Sequence, residues 1–324
     1  MTASMPTPVT RIEVQSPSVS VVIPGLNEAQ SLEELARRIH DALGETEPYE
    51  VVFVDDGSTD NTWEIIRALN QRNPRIRGLR LRRNFGKAMA LAAGFRESRG
   101  DVIVMMDADL QDDPADLPKF LEQIGEGLDV VVGWKVQRRD PWSRRLASRI
   151  FNGTVASFTG VRLHDMNCGF KAYRRVVVET VPIYGDLFRF IPVLAAADGF
   201  RVGEVPVTHH PRAYGNSRYG LERVLRGFFD LLSVLFLTRY ARKPMHLFGL
   251  IGLIIGVMGG GLFAYLSILW LQGHGIGARP LLLLSVMLMV MGVQLVSLGF
   301  IGEFLTYQNQ KRSYREQHPI REKL

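Results

Sequence analysis

Two long stretches without a charged residue constrain the fold of this 324-residue chain more than any other feature. Residues 244–278 contain no Asp, Glu, Lys or Arg over 35 positions, and residues 280–302 add 23 more. A helix needs about 20 apolar residues to cross the roughly 30 Å hydrocarbon core of a bilayer. The sequence therefore predicts two transmembrane helices, at about residues 247–271 and 281–302, and excludes a purely soluble protein.

Basic residues flank the two stretches on their outer sides. They are Arg239, Arg242 and Lys243 before the first stretch, and Lys311, Arg312 and Arg315 after the second. The connecting segment, residues 272–279, carries a single Arg. Because cytoplasmic loops are enriched in Lys and Arg, we predict a multi-pass cell-membrane (inner-membrane) protein with both termini in the cytoplasm.

The net charge, the cysteine content and the N-terminal residues indicate the binding partners and the cellular compartment. The formal charge of +6 lies largely beside the membrane, which favours anionic lipid and argues against nucleic acid. The single cysteine, Cys168, cannot form an internal disulfide, as expected for a reducing compartment. Residues 1–17 lack the apolar core of a signal peptide and are predicted to be a disordered tail.

Short β-branched runs alternate with helical patterns in the first half of the chain. The predicted strands are residues 19–23, 50–54, 77–81, 102–106 and 130–133, and the predicted helices are residues 32–43, 62–71, 87–97 and 117–124. This alternation indicates an α/β fold with a mostly parallel sheet. We predict this domain over residues 18–216, an amphipathic helix over 217–243, the two spans within 244–302, and a cytoplasmic tail over 303–324.

Polar clusters follow three of the predicted strands, where ligands of parallel sheets bind. They are Pro24 to Glu28, Asp55 to Ser58, and Asp107 to Gln111. In an extended segment Asp107, Asp109 and Gln111 would point to one side, and their oxygens suit Mg²⁺ or Mn²⁺. Asp55 or Asp56 could bind a base or ribose. The alternative is that Asp, Asn, Gly and Ser simply favour turns and helix N-caps.

These motifs together resemble family 2 glycosyltransferases with the GT-A (Rossmann-like) fold. Residues 165–174 (DMNCGFKAYR) and 212–218 (RAYGNSR) resemble the polyprenyl-phosphate glycosyltransferases, which include dolichol-phosphate mannose synthases. The two C-terminal apolar stretches are similar to the bacterial, GtrB-like branch, and the likeness runs from about residue 19 to 303. The sequence has no P-loop motif and no GxGxxG after a strand, which argues against a P-loop ATPase and a dinucleotide oxidoreductase.

The resemblance implies a role for each matched residue. The implied metal ligands are Asp107, Asp109 and Gln111, and the implied nucleoside pocket is Pro24, Glu28 and Asp56. Arg144 and Ser148 match positions that grip the lipid phosphate, Arg212 matches a loop arginine that closes over the donor, and Asp165 matches the proposed base. The chain departs from the family at Leu26, where an aromatic is common, and at Lys135, where an Arg is common.

The resemblance also implies the reaction: inverting transfer of one sugar from a nucleotide donor to polyprenyl phosphate. UDP-glucose and undecaprenyl phosphate are the expected substrates, and GDP-mannose, UDP-GlcNAc and UDP-aminoarabinose are the alternatives. A phosphate monoester is largely dianionic at pH 7, so the acceptor needs cations such as Lys135, Arg144 and Arg212 more than a base. We therefore expect Asp165 to act chiefly by orienting these cations or the sugar.

Two other functions stay open. A processive polysaccharide synthase normally carries a QxxRW motif and more spans, and this sequence has neither. A catalytically silent, nucleotide-sensing membrane scaffold would not need the acidic and basic sets together. By resemblance, a homo-tetramer is the expected assembly.

Overall fold

The computed structural model describes residues 18–44, 47–136, 153–157, 159–181, 185–211, 232–233, 236, 240, 243–275 and 280–316. The chain divides into two compact units, Met1–Leu231 and Leu232–Leu324. The predicted residues Arg144, Ser148 and Arg212, and most of the predicted amphipathic helix, lie outside the described residues.

The first unit is built on a seven-stranded sheet in its described part. Its strands are β1 (Val19–Gly25), β2 (Tyr49–Asp55), β3 (Ile76–Arg80), β4 (Val102–Met105), β5 (Val130–Lys135), β6 (Lys171–Arg174) and β7 (Val202–Val207). The strand order is β3-β2-β1-β4-β6-β5-β7. Only β6 runs antiparallel to its neighbours among these strands, which confirms the predicted mostly parallel sheet.

Helices cover this sheet because their apolar residues recur on one face. They are α1 (Leu32–Leu43), α2 (Thr62–Arg72), α3 (Lys87–Glu97), α4 (Leu117–Gly125), α5 (Arg175–Thr180) and α6 (Ile191–Ala197), with 3₁₀ turns at Pro114–Asp116 and Gly185–Phe190. In α1 the buried residues are Leu32, Leu35, Ala36, Ile39 and Leu43, the spacing of a single helical face. The first four helices end within one residue of their predicted bounds.

The strand order brings together the three strands that precede the predicted polar clusters. Strand β1 lies between β2 and β4, and all three run parallel. Their carboxyl ends therefore share one edge of the sheet. At β1 the chain changes the direction in which it adds strands, and α/β sheets bind ligands at such a switch point.

The second unit contains two long apolar helices, α7 (Pro244–Leu271) and α8 (Pro280–Glu316). Their most apolar windows have mean hydropathies of 2.2 and 2.4, and only 17% and 11% of those windows are buried. A core helix of a soluble protein would be mostly buried, so these helices fit two membrane spans. Helix α8 continues beyond the predicted span, through residues 303–316 of the predicted tail.

Glycines bring α7 and α8 into close contact. A Cβ placed on Gly292 would lie 2.7 Å from the carbonyl oxygen of Gly252, and one on Gly259 would lie 2.7 Å from the amide of Met289. Small residues at such a crossing let backbones approach, which is how helices pack in lipid. A Cβ on the neighbouring Gly260 or Gly261, by contrast, would contact nothing within 4 Å.

This packing makes a prediction about helix-pair stability. The substitution Gly292→Leu should push the two helices apart, because the new side chain meets backbone atoms that cannot move aside. We expect an overpacking cost of about 1–3 kcal/mol, read as easier unfolding of the detergent-solubilised protein. Gly260→Leu is the matched control and should leave unfolding unchanged; equal effects of the two substitutions would contradict the close crossing.

Candidate active site

A cavity of about 280 Å³ opens at the carboxyl ends of β1, β2 and β4. Its lining combines the three predicted clusters with the start of α3: Pro24, Gly25, Leu26, Glu28, Asp56, Asn84, Gly86, Lys87, Asp107, Ala108 and Asp109. The structure thus brings together Pro24, Glu28, Asp56, Asp107 and Asp109 of the predicted site residues. Asp55, Gln111, Lys135 and Asp165 do not line this cavity.

Hydrogen bonds tie the loop after β1 to the loop after β2. The hydroxyl of Ser58 accepts from the amide of Asn27 at 2.9 Å, and the Asn27 side chain accepts from the amide of Thr59 at 2.9 Å. The amide of Glu28 donates to the Thr62 hydroxyl at 3.1 Å. Asn27 has φ 59°, a left-handed conformation that Asn tolerates better than most residues. These bonds fix the wall of the cavity that carries Pro24 and Glu28.

The two adjacent aspartates after β2 have different roles. Asp55 is fully buried, accepts from the amide of Ser58 at 2.7 Å and pairs with Arg80 at 3.1 Å. Asp56 lines the cavity and accepts from the amides of Phe85 and Gly86 at 2.8 and 2.9 Å. Asp56 thus lines the cavity and also holds the entrance to α3, whereas Asp55 stabilises the turn after β2.

The acidic segment after β4 is turned, so the prediction of an extended segment is wrong. Leu110 has φ 59° and breaks the alternation of side chains. Asp107 and Asp109 still both line the cavity. Gln111 instead uses its backbone: its amide donates to Asp109 at 3.2 Å, and its carbonyl accepts from the amide of His210 at 2.7 Å. The geometric reason for grouping Gln111 with the two carboxylates is therefore lost.

Gly169 packs directly against Asp107. A Cβ at Gly169 would lie 2.6 Å from the Oδ2 atom of Asp107, closer than any side chain allows. The Asp107 carboxylate is thus confined between this glycine on one side and the cavity on the other. The segment that precedes β6 therefore helps to set the position of the carboxylate.

Lys87 is a site residue that the sequence analysis missed. It is the first residue of α3, it lines the cavity, and its ammonium forms an ion pair with the Asp107 carboxylate. The sequence Asn84-Phe85-Gly86-Lys87 at a predicted strand-to-helix junction is a signal that could have revealed it. A lysine ammonium on its flexible four-carbon stem supplies a mobile point charge to the cavity.

The two carboxylates fit a divalent cation. Within the described residues, no three His, Cys, Asp or Glu side chains form a cluster that could hold a metal ion. Mg²⁺ is commonly held by one or two carboxylates together with substrate phosphates and water. Asp107 and Asp109 could supply the carboxylates of such a site, because both line the cavity.

A second charged cluster lies at the ends of β5 and β7. Lys135 pairs with the buried Asp112 at 2.9 Å, and His209 lies 3.4 Å from the same carboxylate. Burial alone would lower the pKa of Lys135, but Asp112 outweighs it and raises the pKa, with a smaller contribution from Asp165. Asp165 is 2% exposed. The orienting role of Asp165 stays a prediction, and Asp112 is a partner of Lys135 that the sequence analysis did not single out.

Two further ionisable groups are buried near Asp165. Burial raises the pKa of the Cys168 thiol to about 12, which keeps it protonated and fits a structural role. Burial lowers the pKa of the Lys171 ammonium to about 8. That ammonium donates to the carbonyl of Arg189 at 3.0 Å and so joins β6 to the Gly185–Phe190 turn.

Lys171 should make stability rise with pH. Its folded-state pKa of about 8 lies below its ordinary value of 10.5, so between these values the unfolded chain binds more protons and alkali favours the folded state. Lys171→Met should remove this rise and stabilise the protein more at pH 7 than at pH 9.5. Melting temperatures across this range test it, with the exposed Lys119→Met as control; a parallel rise in Lys171→Met would contradict it.

Comparison with known proteins identifies the chain. Residues 20–181 match the glycosyl transferase family 2 domain. The dodecaprenyl-phosphate galacturonate synthase of Rhizobium johnstonii is 38% identical over 299 residues, covering 90% of this chain and 88% of that protein. The protein belongs to glycosyltransferase family 2. It is a polyprenyl-phosphate glycosyltransferase, as the sequence analysis predicted.

Other relatives carry different sugars in their names. The undecaprenyl-phosphate 4-deoxy-4-formamido-L-arabinose transferases of Edwardsiella ictaluri and Pseudomonas aeruginosa (strain PAO1) are 36% and 38% identical, each over 89% of this chain and over 88% and 84% of their own lengths. Crystal structures of Mycobacterium tuberculosis glucosyl-3-phosphoglycerate synthase are similar in fold. The one with Mn²⁺, UDP-glucose and phosphoglyceric acid has a TM-score of 0.53 at 20% identity, covering 68% of this chain and 79% of that one. This glycosyltransferase therefore has the predicted GT-A-like fold.

Proposed function

We propose that this glycosyltransferase transfers a single sugar from a nucleotide sugar to undecaprenyl or another polyprenyl phosphate, with inversion at the anomeric carbon. The supporting observation is the cavity that gathers Pro24, Glu28, Asp56, Asp107 and Asp109 at one sheet edge. Pro24, Glu28 and Asp56 would contact the nucleoside. Asp107 and Asp109 would hold Mg²⁺ or Mn²⁺, which when bound neutralises charge on the departing diphosphate.

The acceptor phosphate in this reaction needs cationic partners more than it needs a base to remove a proton. An acceptor phosphate oxygen attacks the anomeric carbon, and the bond from that carbon to the diphosphate oxygen breaks, releasing the nucleoside diphosphate. A dianionic phosphate has no proton to lose in this step. Lys135 would help to hold the phosphate, together with Arg144, Ser148 and Arg212 from outside the described residues. The Asp112 partner keeps Lys135 charged.

Asp165 is proposed as a positioning residue for these cations. Asp165 is buried and does not line the donor cavity, and its charge helps to raise the pKa of Lys135. We expect Asp165→Asn to slow transfer without changing the shape of the pH–rate profile, in which the acceptor phosphate produces a limb near its second pKa of about 6. A limb that only the Asp165→Asn variant lacks, with the proton traced to the acceptor, would show instead that Asp165 is a base.

The donor is proposed to be a UDP-linked sugar. UDP-glucose, the sequence-based choice, stays a prediction, and the relatives add galacturonate and 4-deoxy-4-formamido-L-arabinose as candidates. Purified protein with Mn²⁺ or Mg²⁺ and undecaprenyl phosphate would be given each labelled UDP-sugar, and GDP-mannose as a different nucleotide. We expect lipid-extractable label from one UDP-sugar. Label only from GDP-mannose would refute the proposal that the donor is UDP-linked. No label despite tight nucleotide binding would favour the catalytically silent, nucleotide-sensing scaffold.

The glycosyltransferase domain and both termini are proposed to lie in the cytoplasm. The support is the basic flanks of the two apolar helices, against one Arg in their connection. Cys168 is buried, so a cysteine introduced by His274→Cys in the connecting segment would be the main reactive thiol. A membrane-impermeant thiol reagent should label it from outside intact cells; labelling only after lysis would reverse the orientation. The expected tetramer stays a prediction that mass measurement in detergent would test.

A further inference from the structure

We propose that Lys87 and a divalent cation compete for the Asp107 carboxylate, and that the diphosphate of the donor ends this competition by drawing the Lys87 ammonium onto itself. Lys87 would then be a diphosphate-binding residue that couples metal binding to nucleotide binding. The inference rests on the proposed function, since it takes Asp107 and Asp109 as the metal ligands.

The ion pair between Lys87 and Asp107 occupies a carboxylate that the cation would need. Both side chains are accessible from the cavity, with 33% of Lys87 and 35% of Asp107 exposed. Asp109 is more enclosed, at 8% exposed, and one of its oxygens accepts from the Gln111 amide. Asp107 is therefore the more accessible of the two carboxylates, and it is the one that Lys87 engages.

The backbone of Lys87 is held in place at the entry to α3, and 33% of its side chain is exposed. The amide of the preceding residue, Gly86, donates to Asp56 at 2.9 Å, so the entry to α3 is fixed. The Lys87 ammonium lies 5.5 Å from the centre of the Phe188 ring, which gives it an apolar and aromatic support. A four-carbon side chain can exchange one anionic partner for another without moving the helix.

A diphosphate would be a stronger partner for Lys87 than a single carboxylate. It carries more negative charge, and it would enter the cavity that Lys87 itself lines. Lys87 is also the first residue of α3, so the positive end of the helix dipole lies in the same corner. Once the ammonium moves to the phosphates, the Asp107 oxygen becomes available. Metal and nucleotide then bind cooperatively, and each strengthens the other by the same factor.

The test measures Mn²⁺ binding to the full-length protein in detergent by electron paramagnetic resonance, without and with UDP. Without nucleotide, Lys87→Met should bind Mn²⁺ at least about fivefold more tightly than wild type, the lower end of typical coupling factors. UDP should strengthen Mn²⁺ binding in wild type, and that strengthening should shrink by a similar factor in Lys87→Met. Lys87→Arg keeps a positive charge beside Asp107, so without nucleotide it should bind Mn²⁺ more weakly than Lys87→Met does.

Two controls separate the inference from the proposed function. Lys119→Met removes another ion-paired lysine, outside the cavity, and should leave Mn²⁺ binding unchanged. Asp107→Asn should weaken Mn²⁺ binding in every background. If Asp107→Asn weakens binding but Lys87→Met does not strengthen it, the competition is refuted and the proposed metal site stands. If Asp107→Asn has no effect, the metal site and the inference both fail.

Discussion

Replacing Asp109 by Asn should lower the rate of sugar transfer by about 10²–10³-fold, because several kcal/mol of leaving-group stabilisation are lost at 1.36 kcal/mol per factor of ten. Asn has the shape of Asp and can still accept from the Gln111 amide, a bond of 3.2 Å in the structure. The variant should therefore fold normally. Transfer of labelled sugar to lipid, measured at several metal concentrations, gives the result.

Asp113→Asn is the matched control for this substitution. Asp113 lies in the same acidic segment but pairs with His210 at 2.8 Å and does not line the cavity. It should retain transfer within a few-fold of wild type. Equal losses in the two variants, or full activity of Asp109→Asn, would contradict the assignment of Asp109 to the metal.

The second large effect is expected at Gly169, which carries no chemistry of its own. In Gly169→Ala the new methyl group would lie 2.6 Å from Oδ2 of Asp107, so the carboxylate must move. A displacement of about 1 Å at a reacting centre can cost about 10²-fold in rate. We expect a loss of that size in transfer to lipid, with a melting temperature close to that of wild type.

Gly125→Ala is the control for an added methyl group in the same unit. A Cβ at Gly125 meets nothing within 4 Å, so both activity and stability should be unchanged. Retention of full activity by Gly169→Ala would show that the position of Asp107 does not limit the reaction. Unfolding of the variant would place the role of Gly169 in folding instead.

The sheet and the edge that carries the cavity could be predicted because local patterns determine them. Strand β2 is buried over its whole length, and such continuous apolar strands are typical of parallel sheets. Once β1, β2 and β4 are known to be parallel, their carboxyl ends must share an edge. That reasoning alone placed Glu28, Asp56 and Asp107 in one site.

The strands β6 and β7 were not predicted, because their patterns depend on tertiary context. Strand β6 places the fully buried Lys171 in the middle of the sheet, where a charged residue obscures the apolar run. Strand β7 has only partly buried residues at its start, so its alternation is weak. In both strands, partners distant in sequence decide the structure.

The details of the site needed the structure for a similar reason. The turn at Leu110 rests on one backbone angle, and the spacing of Asp107 and Gln111 gave no sign of it. The pairing of Lys87 with Asp107 joins residues 20 positions apart, and that of Lys135 with Asp112 joins the end of β5 to the segment after β4. Sequence motifs identify candidate catalytic and binding residues, whereas tertiary packing determines which of these residues are in contact.

The proposed donor site is the cavity at the ends of β1, β2 and β4. Crystals of the protein grown with Mn²⁺ and UDP would test it most directly, through an anomalous difference map at a wavelength where manganese scatters. We expect one manganese peak between the carboxylates of Asp107 and Asp109, with the diphosphate beside Lys87 and the nucleoside beside Asp56. A manganese peak elsewhere, or UDP bound outside this cavity, would contradict it.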